Sequence, residues 1–328
     1  MLGFLVRRII ALAFVLLFAV TLTFCLLRLF PGSPFNLNEK QNSAANIAKE
    51  EYLHNLDGPI WWQWARYIGL GPKHERLDSN ANVLEPAGYR GLLQGRFDED
   101  SLKLKDRKVN ELIADSMPTS VTIGLLALMF STVAGVWLGS MAAVKRHTWI
   151  DTGSMLGALA AISIPTFVAG PLLALVFSLW LNWLPIGGVG GLSNLILPSL
   201  TLAGPFIAYI ARLTRASLLE VLSQDFVRTA RAKGVAERGV LYRHVLKIGI
   251  LPVVSFLGPL TAGVLTGSLV VEKIFNLPGM GEMLVNSVLN QDEFLCCGTV
   301  AVYCALLVVM NLLVDVAYQW LDPRIRIS

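Results

Sequence analysis

Residues 225–252, DFVRTARAKGVAERGVLYRHVLKIGILP, form a strongly basic segment between two long apolar runs. Residues 212–247 carry eight lysines and arginines against three acids. Short loops rich in Lys and Arg stay on the cytoplasmic side of a membrane. The segment is therefore predicted to be a cytoplasmic loop that faces a soluble partner.

The first half of this loop predicts a short amphipathic helix. Its residues are good helix formers, and Phe226, Val227 and Ala230 lie on one side of such a helix. Arg228 and Arg231 lie together, one helical step apart.

A turn is predicted where this helix ends. Gly234 follows Lys233 and precedes a new periodic run. A helix ends most easily at a residue that enters the left-handed backbone region without a Cβ clash, and glycine is that residue. The loop is therefore expected to contain a helix, a turn at Gly234 and a second helix.

The whole chain has the composition of a membrane protein. Of its 328 residues 54% are hydrophobic and 15% are charged, and the mean hydropathy is +0.59. A soluble domain of this length does not need so apolar a chain. The formal net charge of +4 does not imply nucleic-acid binding, because it is the distribution of Lys and Arg that determines topology.

The uncharged runs predict six transmembrane helices, since a helix of about 20 residues crosses a bilayer and irregular backbone cannot face lipid. Residues 152–211 carry no charge, and the turn formers at 183–194 divide them into two spans joined by a short external hairpin. The predicted spans are 9–27, 116–144, two within 152–211, 248–271 and 294–320.

The basic clusters predict the orientation in the membrane. They are Arg7 with Arg8, Lys145 with Arg146, the loop at 212–247, and Arg324 with Arg326. Six spans with both termini in the cytoplasm place all four clusters on one side. The predicted parts are a first transmembrane helix at 1–30, an extracytoplasmic region at 31–115, a five-helix core at 116–322 and a cytoplasmic tail at 323–328.

The extracytoplasmic region contains a predicted aromatic helix. The faces of a helix at 58–69 would carry Ile60, Trp61, Trp64, Tyr67 and Ile68 on one side and Gln63 and Arg66 on the other. Two structural interpretations are open. The helix lies at the membrane interface, where Trp and Tyr are favoured, or its aromatic residues pack against the ends of the spans.

Several chemistries have no motif in the sequence. There is no Gly-Lys dipeptide, so the phosphate-binding P-loop is missing and the chain is not expected to be an ATPase. We interpret Cys25, Cys296, Cys297 and Cys304 as packing residues, because they lack metal-ligand spacing.

Asp315 is interpreted as part of a structural ion pair. A secondary transporter, the alternative class, would need coupling-ion residues and commonly repeated halves, which fit poorly here.

Small residues and prolines within the spans have packing interpretations. Gly135 with Gly139, and Gly263 with Gly267, have the spacing that allows close helix approach, and packing within the chain is favoured over a contact with another subunit. Pro165 lies within a span and is expected to kink it.

The loop also carries a family resemblance. Its residues 228–234, RTARAKG, resemble the E-A-A-x-x-x-G loop of ABC-importer permeases, with Arg228 and Thr229 in place of Glu and Ala. The loop motif followed by a histidine ten residues after Gly234, His244, resembles the oligopeptide/dipeptide branch of this family. Further similar segments are RLFPG at 28–32, EKIFNLPGMG at 272–281, NLLVD at 311–315 and DPR at 322–324. The chain departs from the family at 95–98 and in extra sequence around 71–90.

The resemblance implies a type I ABC-importer fold and a permease that forms half of a pathway for peptides in the inner membrane. Oligopeptides are favoured over dipeptides, glutathione or nickel. The implied partners are a second, different permease subunit, two ATP-binding subunits that bind ATP and Mg, an extracytoplasmic substrate-binding protein, the peptide and membrane lipid. No cofactor is expected in this chain. The implied ATPase-coupling residues are Phe226, Arg228, Thr229, Ala230, Arg231, Ala232, Lys233, Gly234 and His244.

Overall fold

The computed structural model describes residues 2–29, 44–77, 83–85, 87–89, 91–94, 99–104, 107–188, 190–265 and 269–321. Gly267, the departure at 95–98, and the motif and basic residues of 322–328 lie outside the described residues, as do the side chains of Arg7, Arg8 and Asp315.

The first part of the chain is mainly helical, with short strands. Its helices are α1 (Leu2–Leu29), α2 (Ala44–Leu53) and α3 (Ile60–Ile68), and a 3-10 turn follows at Leu92–Gln94. Its strands are β1 (Pro72–Lys73), β2 (Arg76–Leu77), β3 (Val83–Glu85) and β4 (Gly88–Tyr89). β1 pairs with β4 and β2 with β3, both antiparallel. The first and last strands of the extra sequence at 71–90 therefore lie side by side.

The remainder is helical where it is described. The helices before the basic loop are α4 (Val109–Val144), α5 (Trp149–Ser163), α6 (Thr166–Ala174), which continues as a π-helix at Leu175–Trp180, and α7 (Ser193–Leu222). The loop contains α8 (Asp225–Ala232), α9 (Glu237–Gly239), a π-helix at Val240–Val245 and α10 (Leu246–Gly249). The last helices are α11 (Leu251–Leu265), α12 (Leu269–Ile274), α13 (Met280–Leu289) and α14 (Glu293–Leu321).

In the described part of the chain, four helices are each long and apolar enough to cross a membrane: α1, α4, α7 and α14. Two pairs of helices pass the same test but are bent. The pair at 149–180 is bent by 109° and the pair at 237–261 by 48°. The count reaches six, as predicted, when each bent pair counts as one span, but the second pair begins within the predicted cytoplasmic loop and so differs in bounds from the predicted span at 248–271.

The sharper bend is a break at Pro165 rather than the expected kink. Ile164 has an extended backbone with ψ 117°, and Pro165 follows with ψ 142°. Proline has no amide hydrogen and disfavours helical backbone in the residue before it, so the helix stops and a new one starts.

The chain divides into two compact units. The core unit comprises Met1–Phe4, Pro118–Glu282 and Leu306–Ser328, and the N-terminal unit comprises Leu5–Met117 and Met283–Ala305. In the core unit α4, α7, α11 and the residues around α12 meet in one apolar cluster. Ile123, Ile210, Val253 and Phe275 are each no more than 2% exposed there.

The approach of α4 to α7 depends on two glycines. A Cβ on Gly135 would lie 2.7 Å from the side chain of Ile210, and a Cβ on Gly139 would overlap the carbonyl oxygen of Ala211 and lie 2.6 Å from Thr214 Cβ. This pair therefore packs within the chain, as predicted.

In the N-terminal unit, α3 packs against α1 and the start of α14. Trp64 Nε1 donates a hydrogen bond to Thr21 Oγ1 at 3.0 Å. The Tyr67 ring stacks on Phe24 and Phe294, with centroids 6.2 and 5.8 Å away. Trp64 and Tyr67 thus pack against the spans, whereas Ile60 and Trp61 of the same face are 54% and 66% exposed.

The polar side of α3 is also buried, contrary to the amphipathic pattern. Gln63 and Arg66 are each 7% exposed. Arg66 Nη1 donates to Asp57 Oδ1 at 2.6 Å, and Gln63 Oε1 accepts from Arg28 Nη2 at 2.5 Å. Burial raises the pKa of Asp57, but the hydrogen bonds from Arg66 and His74 outweigh it and hold that pKa below its ordinary value.

A buried ion pair joins the end of α1 to the start of α14. Arg28 Nη2 lies 3.0 Å from Glu293 Oε2, and the Glu293 side chain is 5% exposed. The contact is an ion pair rather than an aligned hydrogen bond, since Oε2 has no hydrogen-bond partner in the described structure. The pair therefore fixes which helix ends are neighbours.

We expect Gly139→Ala to destabilise the protein and Gly157→Ala to leave it unchanged or slightly more stable. The first change forces a methyl group into α7, which costs about 1–3 kcal/mol. At Gly157, within α5, a Cβ meets nothing within 4 Å, and Ala is favoured over Gly in a helix by about 0.5–1 kcal/mol. Thermal unfolding in detergent measures both, and equal midpoints would contradict the close approach.

Removing one member of the Arg28–Glu293 pair should cost more stability than removing both. Arg28→Met leaves a buried carboxylate without its cation, at a cost of about 3–5 kcal/mol. Arg28→Met combined with Glu293→Leu should recover the part of this loss that comes from the uncompensated charge, while Gln63 Oε1 still lacks the donor that Arg28 provides. The same thermal measurement decides, and a double variant less stable than Arg28→Met would refute the pairing.

Candidate functional site

The helix α8 is attached to the core unit by one fully buried side chain. Val227 is 0% exposed and packs in an apolar cluster, with Ala230 half-buried beside it. The other buried members of that cluster are Ala143, Leu218, Val221, Val240 and Val245. Phe226, expected on this side, is 37% exposed. The helix therefore presents Phe226 to its surroundings and is held through Val227.

The turn after α8 has the predicted conformation. Gly234 has φ +77°, in the left-handed region, and a Cβ there would meet nothing within 4 Å. Its amide donates to the Arg231 carbonyl at 2.9 Å, and the Val235 amide donates to the Ala230 carbonyl at 3.2 Å. These bonds satisfy carbonyls that the end of a helix leaves free.

The two arginines of α8 have different roles, which spacing alone did not distinguish. Arg231 Nε and Nη2 donate to the two carboxylate oxygens of Glu237 at 2.8 and 3.2 Å, so this pair bridges the turn. The Arg228 side chain is 75% exposed, and its Nη1 lies 3.6 Å from Asp225 Oδ1, beyond hydrogen-bond distance. Arg228 therefore extends into solvent, whereas Arg231 shapes the loop.

The predicted second helix consists of several pieces. It begins at α9, widens into the π-helix, and leads through α10 to the 48° bend. Val240 and Val245 are 0% exposed and anchor it, while His244 between them is exposed. Of the residues singled out in the sequence, Thr229, Ala232, Lys233, Gly234 and His244 are exposed together with Phe226, Arg228 and Arg231. They form an exposed surface on a buried base.

An ion pair near this loop was not predicted. Asp151, in the first turn of α5, is 5% exposed and accepts from Arg215 Nε and Nη2 of α7 at 2.6 and 2.8 Å. The His147 amide donates to the same carboxylate at 3.1 Å. The sequence signal was one acid at the start of a long uncharged stretch, which does not identify a partner 64 residues away.

The chain matches the family model described as "Binding-protein-dependent transport system inner membrane component" over residues 135–327. It is 39% identical over 328 residues to the oligopeptide transport system permease protein OppB of Salmonella typhimurium, covering 99% of this chain and 100% of that protein. It is 36% identical over 324 residues to the dipeptide transport system permease protein DppB of Bacillus subtilis, covering 99% of this chain and 98% of that protein.

The fold is similar to a solved structure. One chain of the MetNI methionine ABC transporter, in an inward-facing conformation, superposes with a TM-score of 0.56 at 13% identity, covering 65% of this chain and 97% of that chain. This likeness concerns the fold alone, and it confirms the type I ABC-importer fold. The family match covers more than half of the sequence, and the relatives match along nearly its full length. The chain therefore belongs to the family of binding-protein-dependent transport system inner membrane components.

Proposed function

We propose that this chain is a permease subunit of an ATP-driven peptide importer and forms half of the pathway through the inner membrane. The full-length similarity to OppB carries the proposal and favours oligopeptides as the substrate. Dipeptides are the second candidate, because the similarity to DppB is almost as high.

The proposed complex contains four further kinds of component. They are a second, different permease subunit, two ATP-binding subunits, an extracytoplasmic binding protein and the peptide itself. ATP and Mg belong to the ATP-binding subunits, in keeping with a family that is a transport component. We propose that the extracytoplasmic part of the N-terminal unit helps the binding protein to dock, because the sequence there has balanced charge and no catalytic motif.

The loop at 212–247 is the proposed contact with the ATP-binding subunits. Phe226 and Arg228 offer an apolar and a cationic group to a partner, and Val227 connects the same helix to the core. Movement of the ATP-binding subunits would thus reach the core through α8. Docking of the ATP-binding subunits can shift the equilibrium between two conformations of the pathway only by the difference between their docking free energies to those two conformations.

We expect labelling in spheroplasts to place Lys145 and the loop on the cytoplasmic side. In a background without native cysteines, a membrane-impermeant maleimide added outside should label Trp61→Cys and Trp183→Cys. These side chains are 66% and 68% exposed. Lys145→Cys and Arg231→Cys should react only after the membrane is permeabilised. Labelling of Arg231→Cys from outside would overturn the proposed orientation.

We expect Gly234→Val to uncouple the importer without unfolding it. The space around Gly234 is open, so the cost is the left-handed backbone alone, about 1–2 kcal/mol for an ordinary residue. This is small for a six-span protein but similar to a typical coupling free energy of about 1–3 kcal/mol. Membrane abundance should stay normal, while retention of the ATP-binding subunits is weakened and substrate-stimulated ATP hydrolysis is lost. Gly234→Ala should show a milder defect.

The matched control is Gly188→Val in the hairpin between α6 and α7. Gly188 has φ +85° and open space around its Cβ position, so the backbone cost is the same in a different place. This variant should keep its ATP-binding subunits. Normal transport by Gly234→Val with those subunits bound would show that the loop does not couple them to the pathway.

A further inference from the structure

A carboxylate that has no salt bridge among the described residues lies buried in the core unit, 25 residues after the end of the loop. Glu272 of α12 is 1% exposed. The charged group that acts on it is another acid, Glu282. A buried charge is costly unless hydrogen bonds compensate for it. The surroundings of Glu272 therefore have to supply donors.

Three donors surround this carboxylate. Ser120 Oγ of α4 donates to Oε1 at 2.7 Å, and the Glu282 amide donates to Oε2 at 3.0 Å. The Gly281 amide is the third donor. The Ser120 hydroxyl also accepts from the Met280 amide at 2.8 Å, which directs its own proton to Glu272. An ionised carboxylate, which only accepts hydrogen bonds, fits this site.

The glycines of the PGMG sequence make room for the same carboxylate. A Cβ on Gly279 would overlap the Glu272 carboxyl group, and a Cβ on Gly281 would lie 2.9 Å from Glu272 Oε2. The backbone between α12 and α13 thus approaches the carboxylate so closely that residues 279 and 281 have no room for a side chain.

The backbone between α12 and α13 is also tied to its neighbours in the core unit. The Phe275 carbonyl accepts from the Gly188 amide at 3.0 Å, and the Phe275 ring belongs to the buried cluster of α4, α7 and α11. A displacement of residues 272–282 would therefore reach α4 through Ser120 and the α6–α7 hairpin through Phe275.

We propose that Glu272 is a positioning residue that clamps residues 272–282 to α4, so that docking of the binding protein displaces this segment and α4 as one body. The inference rests on the proposed function and orientation, in which the segment is extracytoplasmic. An apolar residue would fill the site without the cost of a buried charge. Directed hydrogen bonds to three donors, in contrast, hold one geometry.

The test uses the complete importer in nanodiscs, with ATP hydrolysis measured with and without its binding protein loaded with trialanine. Glu272→Gln keeps the shape of the side chain but places an amide NH2 group against a donor. Stimulated hydrolysis should fall on the order of tenfold, as for loss of a hydrogen bond to a charged group, with basal hydrolysis within about twofold. Glu111→Gln makes the same change at a side chain that is 54% exposed, and the fall in Glu272→Gln should exceed any change that this exposed substitution causes.

Ser120 provides a second set of variants. Ser120→Ala should reproduce the loss of stimulation, and Ser120→Thr, which keeps the hydroxyl, should retain it. Because the two residues share the hydrogen bond from Ser120 Oγ to Glu272 Oε1, the combined effect of Glu272→Gln and Ser120→Ala should be smaller than the sum of the two single effects.

Unchanged stimulation in Glu272→Gln and Ser120→Ala would refute the clamp. A parallel fall of basal and stimulated rates would show a purely structural role and refute it as well. Each variant should retain its ATP-binding subunits, which separates the clamp from the coupling loop. A wild-type complex that lacks these subunits or does not respond to the binding protein would instead refute the proposed function, and this inference with it.

Discussion

The hydrocarbon core of a bilayer offers no water, so each charge that this chain buries needs a partner within the protein. Arg28 meets Glu293 at the ends of two helices. Asp151 in the first turn of α5 meets Arg215 of α7. Apolar burial is non-directional and lets helices slide. Hydrogen bonds form only within a narrow range of distance and angle, and a buried charge needs its partner in direct contact, so these contacts select which helix ends are neighbours.

The backbone obeys the same constraint. The carbonyl of Pro165, where the third span breaks, accepts from the amides of Val168 and Ala169 at 2.9 and 3.0 Å, so the new helix starts with this acceptor satisfied. Where helices touch most closely, as α4 and α7 do, glycine lets the chains approach. Hydrogen bonds between buried polar groups and the close packing of small residues together provide much of the helix association that the hydrophobic effect drives in water.

The predictions from sequence were accurate where the physics is local. Runs of apolar residues gave the spans, and the conformation of Gly234 follows from its place after a short helix. Partners distant in sequence were not accessible. Nothing in the helical pattern of α3 shows that Gln63 meets Arg28. Likewise, the different roles of Arg228 and Arg231 depend on Glu237 beyond the turn. The functional part of the loop remains a prediction, because geometry shows exposure but not a partner.

A coupling element has to be held to the core at least as firmly as the signal that it carries. Burial of one Val side chain contributes about 1.5–3 kcal/mol, close to the 1–3 kcal/mol of a typical coupling free energy. Val227 alone would therefore be a marginal attachment for α8. The cluster supplies more, because Val240 and Val245 from beyond the turn are also fully buried. The loop is thus anchored on both sides of Gly234, and the bridge from Arg231 to Glu237 limits rotation between the two anchors. In the proposed coupling role, a force applied at Phe226 or Arg228 would then move α7 and α8 together instead of bending the loop.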